Sequence, residues 1–177
     1  MESLYRRIVS NRNSNRNWRL CKVLIIDEIS MIDGHLFDLI EQLARKLKGG
    51  QEKPFGGIQV ICCGDFFQLP PVNVKTFVFE SSCWSSVMSE SIELRTVFRQ
   101  KDKKFIDILN ELRLGIVSPK TTQLLRSLSH PLNPPNGITP TRLYCRNIDV
   151  TRMNNNFLKN LPGKSLTFTA ESTGQQL

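Results

Sequence analysis

Two short apolar runs, each ending in acidic or turn-forming residues, constrain this chain more than any other feature. Val23-Leu24-Ile25-Ile26 stops at Asp27-Glu28, and Ile58 to Cys63 stops at Gly64-Asp65. Fully apolar, β-branched runs of this length suit parallel strands buried on both faces. Between them Leu36, Phe37, Ile40, Leu43, Ala44 and Leu47 recur at helical spacing, with Asp33 as an N-cap and Gly49-Gly50 as a stop. Strand, helix, strand with apolar strands is the pattern of a βαβ unit, so the expected class is α/β with a parallel sheet flanked by helices.

Residues 1–20 are polar and rich in Arg and Asn, with Leu4, Tyr5, Ile8 and Val9 as a short helix face. Ser91 to Val97 reads as a further strand. Phe105, Ile106, Leu109 and Leu112 mark a helix ending at Gly115, and Ser118-Pro119 opens another containing Leu124, Leu125 and Leu128. The segment from Ser129 to Pro140 holds four prolines and is the best candidate linker. Thr141 to Cys145 reads as a strand, followed by a helix from about Asn147 to Leu161. Phe66 and Phe67 directly follow a buried run and are expected in the core.

Composition narrows the class. No apolar run approaches the roughly 18 residues that span a membrane, so no membrane partner is expected. The five cysteines lack zinc-ligand spacing. Cys62 and Cys63 read as small buried thiols, and an intracellular, reducing compartment is expected. The net charge of +8 is uneven: +5 over residues 1–22, −4 over 23–90 and +7 over 91–177. A basic surface around an acidic centre suits a polyanion, although excess Lys and Arg also simply solvate surfaces.

A strand ending in Asp27-Glu28 puts two carboxylates at the carboxyl edge of the sheet, where α/β proteins bind ligands. In nucleotide hydrolases such an Asp helps hold Mg²⁺ and the Glu polarises the attacking water. For one strand alone, an acidic end of no function would be the better reading. The second strand end, Gly64-Asp65-Phe66-Phe67-Gln68-Leu69-Pro70-Pro71, changes that. It sets a carboxamide, able to orient water or contact a terminal phosphate without adding charge, just past a neighbouring strand.

The ordered set LIIDEISM, KPFGGIQVICCGDFFQLPPV and ELRTVFRQ resembles motifs II, III and IV of superfamily-one helicases. EISMIDGHLFDLIEQLARKLK is similar to the signature segment of the Pif helicases, relatives of RecD, and FIDILNELRLG and TRLYCRNIDVTRMNNNFLKNLPG extend the likeness over about residues 18–163. The resemblance implies a partial RecA-like P-loop NTPase motor, lacking the P-loop strand. Residues 1–100 would be the C-terminal portion of the first motor domain, 101–139 a helical connection and Pro-rich loop, and 140–177 the beginning of the second.

It also implies an ATP-dependent DNA helicase moving five-prime to three-prime, serving replication, repair, recombination or telomere maintenance. The cofactors would be ATP and Mg²⁺, and the partners single-stranded DNA and DNA junctions. Its location would be the nucleus or mitochondrion in a eukaryote. Asp27 would support Mg²⁺ largely through water, Glu28 would be the catalytic base, and Gln68 would sense the terminal phosphate. Arg99 would resemble an arginine finger; without the resemblance it is a surface cation. Lys101, Lys103, Lys104, Arg142 and Arg146 are candidates for DNA contacts, though each singly reads as solvated.

A phosphate cradle needs a Gly-rich loop leading to Lys and Ser/Thr, and no G-x-x-x-x-G-K-[ST] occurs in these 177 residues. The expectation is therefore a fragment, a truncated gene model or a degenerate copy, without measurable ATPase by itself. Without the central strand, the remaining ones would carry exposed edges and apolar faces, giving marginal stability and aggregation. The alternative is a non-catalytic remnant that binds nucleic acid or a protein partner. A different P-loop ATPase with a coincidental motif II is disfavoured by GDFFQLPP.

Overall fold

The computed structural model describes residues 1–50, 52–72, 76–131 and 140–171. It divides into two compact units, Met1–Leu128 and Ser129–Leu177.

The first unit is built on the expected βαβ element. Strands β1 (Val23–Ile26) and β2 (Gln59–Cys62) pair in parallel, with Val23 opposite Gln59 and Ile26 opposite Cys62. They are the two strands among the described residues. The helix between them, counted as α3, spans Gly34–Lys48. Asp33 caps it by accepting the His35 and Leu36 N–H groups, and Gly49 ends it at φ 72°, a left-handed conformation that glycine adopts without a Cβ clash. Phe37, Leu43, Ala44 and Leu47 are its buried apolar face.

Two helices precede the sheet, α1 (Glu2–Ser10) and α2 (Arg12–Leu20). The C-terminal carbonyls of α2 have no partner within the helix, and the Lys48 ammonium takes up that end, donating to Arg19 O at 2.8 Å and to Cys21 O at 2.9 Å. After β2 come α4 (Trp84–Val87), α5 (Lys103–Leu114) and α6 (Pro119–Ser127). Asp102 caps α5 and Gly115 closes it at φ 69°, while Ser118 caps α6.

The core lies on one side of the sheet, where Phe37 meets Phe55 at 5.5 Å and Trp84 at 5.7 Å between ring centroids. Ile29, Ala44, Ile58, Val78 and Cys83 complete it, with Leu24, Ile26, Val60 and Cys62 packed against it from the strands. Burying Phe37 and Phe55 stabilises by about 1.5–3 kcal/mol each. Glu41, 3% exposed, sits beneath this core, ion-paired with Arg45 and accepting the Phe55 N–H at 3.0 Å. That bond holds Phe55 at φ 50°, a conformation disfavoured for a bulky side chain.

In this first unit four sequence expectations are corrected. The strands are buried on one face only: Val23, Ile25 and Ile61 lie exposed on the other, Ile25 by 66%. Residues 91–97 form no strand, because no described strand lies beside them to pair with; Leu94 is 92% exposed. Cys62 is only half-buried and Cys63 is exposed, since strand alternation turns neighbours to opposite faces. Phe66 and Phe67 are exposed, in a turn that leaves the sheet edge, although Phe66 packs edge-on to Phe79 at 5.1 Å.

The second unit contains α7 (Asn147–Lys159), whose first turn is braced by Asp149 accepting from Arg146 at 3.0 Å and Arg152 at 3.1 Å. Residues 141–145, expected as a strand, are irregular, again with no described strand to pair with. Most of the proline-rich stretch, 132–139, lies outside the described residues.

Candidate functional site

Because β1 and β2 run parallel in register, both chains leave the sheet at its carboxyl edge. Asp27-Glu28 and Gly64 to Gln68 therefore emerge side by side, as two strand ends of one ligand site require. Hydrogen bonds crossing between the strand ends continue the ladder: Cys63 N–H donates to Ile26 O at 2.9 Å and Ile29 N–H to Cys63 O at 2.9 Å.

The acidic corner is made by an unusual backbone. Glu28 sits at φ 51°, ψ 44°, left-handed for a residue with a full side chain. Such conformations cost on the order of 1–3 kcal/mol and concentrate at functional sites. Asp27 supports it by accepting the Glu28 N–H on Oδ1 at 2.9 Å. The chain then enters a 3-10 turn, Ile29–Met31, closed by Met31 N–H to Glu28 O at 2.9 Å. Both carboxylates are exposed, and neither is ion-paired among the described residues. The buried Ser30 Oγ beside them has no hydrogen-bond partner among the described residues.

Gly64 lets the second strand end approach this corner. A Cβ there would lie 2.8 Å from Ile29 Cγ2, 3.0 Å from Ile29 N and 3.2 Å from Ser30 N. Past it, Asp65 organises the turn that carries Gln68. Its Oδ1 accepts Phe67 N–H at 3.1 Å, its Oδ2 accepts Gln68 Nε2–H at 3.1 Å, and its backbone carbonyl accepts Gln68 N–H at 3.1 Å. Arg113, in the last turn of α5, donates to Asp65 Oδ1 at 2.8 Å, and its guanidinium lies 5.3 Å from the Phe67 ring centroid. Glu28's backbone, Gly64, Asp65 and Arg113 were not singled out from the sequence. For Asp65 the available signal was an acid three residues before a polar side chain, a turn-closing spacing.

Among the described residues, the remaining candidates of the first unit make no hydrogen bond or ion pair with this edge. Arg99 is exposed in the irregular segment after residue 90, with no ion-pair partner among the described residues. Lys101 is exposed, as are Lys103 and Lys104 at the start of α5. Arg142 and Arg146 belong to the second unit, where Arg146 is paired with Asp149.

Chemically the edge offers a hard, unpaired carboxylate on Asp27, a second on Glu28 and an oriented amide on Gln68. No cluster of three or more metal-binding side chains exists among the described residues. One or two carboxylates are, however, what Mg²⁺ takes from a protein when phosphates and water supply the rest. The donor set fits an ion that arrives with a nucleotide, and does not fit one caged by protein.

Comparison with known proteins agrees with this geometry. The sequence model for "PIF1-like helicase" matches residues 2–123. The ATP-dependent DNA helicase PIF1 of Candida albicans is 40% identical over 98% of this chain and 21% of that protein. RRM3 of Saccharomyces cerevisiae, another ATP-dependent DNA helicase, is 43% identical over 96% of this chain and 24% of that protein. The chain thus spans about a fifth to a quarter of these curated relatives. Among solved structures, the Candida albicans Pif1 helicase superposes with a TM-score of 0.85 at 44% identity, covering 92% of this chain and 37% of that one. A Bacteroides Pif1 helicase in complex with ADP-AlF3 and single-stranded DNA gives 0.73 at 28% identity, covering 87% and 39%.

Proposed function

The chain belongs to the PIF1-like helicase family, and from that premise we propose that it carries the acidic half of the ATP site of a DNA helicase motor. The observation that carries the reading is the shared carboxyl edge of β1 and β2, with Asp27-Glu28 on one strand end and Gln68 beyond the other. Glu28 takes the proton of the attacking water as general base. Gln68 orients that water or the terminal phosphate through its amide. Asp27 would hold Mg²⁺, and the ion, bound with ATP, would supply positive charge against that developing on the phosphates. Arg99 acts as an arginine finger once brought to the phosphates. The DNA track is single-stranded, five-prime to three-prime in direction, with Lys101, Lys103, Lys104, Arg142 and Arg146 on the phosphate backbone.

The test separates this chain from the phosphate-binding loop it lacks. By itself the 177-residue chain should show no DNA-stimulated ATPase. A chimaera with residues 18–163 in place of the corresponding segment of the Candida albicans Pif1 helicase should hydrolyse ATP and unwind DNA. In it, Glu28→Gln should abolish turnover while sparing nucleotide binding, and Arg99→Ala should slow turnover about a thousandfold or more. A chimaera that binds DNA but never hydrolyses ATP, beside an active parent, would instead support a non-catalytic remnant.

A further inference from the structure

We propose that Arg113 is a positioning residue for Gln68, acting through Asp65; the proposal rests on reading the two strand ends as a nucleotide site. Gln68 alone is a flexible side chain, and its amide can present either end to a ligand. Asp65 removes that freedom. An ionised carboxylate only accepts hydrogen bonds, so the group facing Asp65 Oδ2 at 3.1 Å is the amide nitrogen of Gln68. Gln68 Oε1 and one N–H are left for a ligand, an acceptor and a donor in a set order. An attacking water needs such an acceptor.

Asp65 is itself held. It is 19% exposed and takes three hydrogen bonds on two oxygens, from Phe67 N–H, Gln68 Nε2–H and Arg113. The Arg113 bond, at 2.8 Å, is the one that brings a compensating charge. The same guanidinium lies 5.3 Å from the Phe67 ring, so α5 grips the turn at two successive points, an anion and an aromatic face. Only a planar cation makes both contacts at once. Without it Asp65 faces water unpaired, and solvent competes with Gln68 for Oδ2. An exposed arginine in a helix's last turn has a simpler use, favouring the helix dipole. That use would not require it to reach an aspartate 48 residues earlier.

A double-mutant cycle in the chimaera tests this, with turnover read as kcat and KM for ATP. Arg113→Met should lower kcat by roughly tenfold to a hundredfold, as displaced catalytic groups do, with little change in KM. Arg113→Lys should recover part of the loss, retaining charge without the fork. In a Gln68→Ala background Arg113→Met should cost almost nothing further. An equal loss of kcat in both backgrounds would overturn the proposal, as would a loss confined to KM. In the 15N-labelled chimaera, Arg113→Met should shift the Gln68 side-chain amide resonances, and an unmoved pair would also overturn it. If the parent chimaera were inactive, the nucleotide reading would fall, and these resonances would still decide whether Arg113 orients Gln68.

Discussion

Gly64→Ala is the smallest change that should pull the two strand ends apart. The φ of Gly64 lies outside the left-handed range, so alanine is conformationally permitted and its cost is steric. The added Cβ would meet Ile29 Cγ2 at 2.8 Å, but also two backbone nitrogens, Ile29 N at 3.0 Å and Ser30 N at 3.2 Å. Side-chain rotation relieves only the first. The 3-10 turn must therefore retreat by a few tenths of an ångström, lengthening the 2.9 Å bond from Ile29 N–H to Cys63 O. Overpacking costs about 1–3 kcal/mol, and weakening one such bond up to about 1 kcal/mol. Against these, alanine restricts the unfolded chain, worth about 0.4–1 kcal/mol. The expected net loss is about 1–3 kcal/mol. For a urea slope of roughly 2 kcal/mol/M that is a midpoint shift of about 0.5–1.5 M. Tryptophan fluorescence of Trp18 and Trp84, with a stabilising osmolyte to secure the folded baseline, measures it. Because the same retreat moves Glu28, kcat in the chimaera should fall as well. An unchanged or raised midpoint for Gly64→Ala would refute the claim that close backbone approach ties the strand ends.

Three further outcomes are expected. The first unit leaves Ile25, Phe67, Leu94 and Phe98 between 61% and 92% exposed, so the isolated melt should be broad and accompanied by dye binding and aggregation; a sharp calorimetric transition of a soluble monomer would contradict this. Burial pushes the Cys62 thiol up to about 11, aided by Cys63, and the Cys83 thiol up to about 12, aided by Asp38. At pH 8 their thiolate fractions are about a thousandth or less, so mass spectrometry after brief alkylation should find Cys63 and Cys145 modified first. Burial pushes Asp38 up, but this is outweighed by hydrogen bonds from Cys83 and Ser82, leaving its carboxyl below the usual value. Its stabilisation is then present at neutral pH and lost as pH falls below about 3.8. Urea midpoints at pH 6 and pH 3 should differ less in Asp38→Asn, which at neutral pH should lose about 1–2 kcal/mol.

How far the fold could be read from residues follows from whether its signals are local. The limits of α3 were legible because Asp33 and Gly49 act within one turn of themselves. The parallel pair was legible because two apolar runs flank one helix. A strand, however, is completed by its neighbour. Residues 91–97 have an extended sequence pattern, but pattern supplies no hydrogen-bond partner, and Ile92 and Leu94 remain in solvent. The same reasoning explains β1: four apolar residues promise two buried faces, and the core here covers only one.

The site divides along a similar line, between chemistry and aim. Asp27, Glu28 and Gln68 could be put forward as candidates because their functional groups suit phosphate transfer, and the structure adds that their strand ends are adjacent. What aims those groups was not identifiable. Glu28's left-handed backbone has no sequence mark, since the residues that favour it are glycine and asparagine. Arg113 meets Asp65 across 48 residues of chain, and in sequence it is one basic side chain among many. Chemistry chosen by residue type thus points to Gln68, while its orientation resides in an aspartate three residues earlier and an arginine on another helix. The separation has an experimental consequence: Gln68→Ala removes the amide outright, whereas Arg113→Met leaves it present and lets it turn. If amide identity alone mattered, only the first substitution would slow turnover.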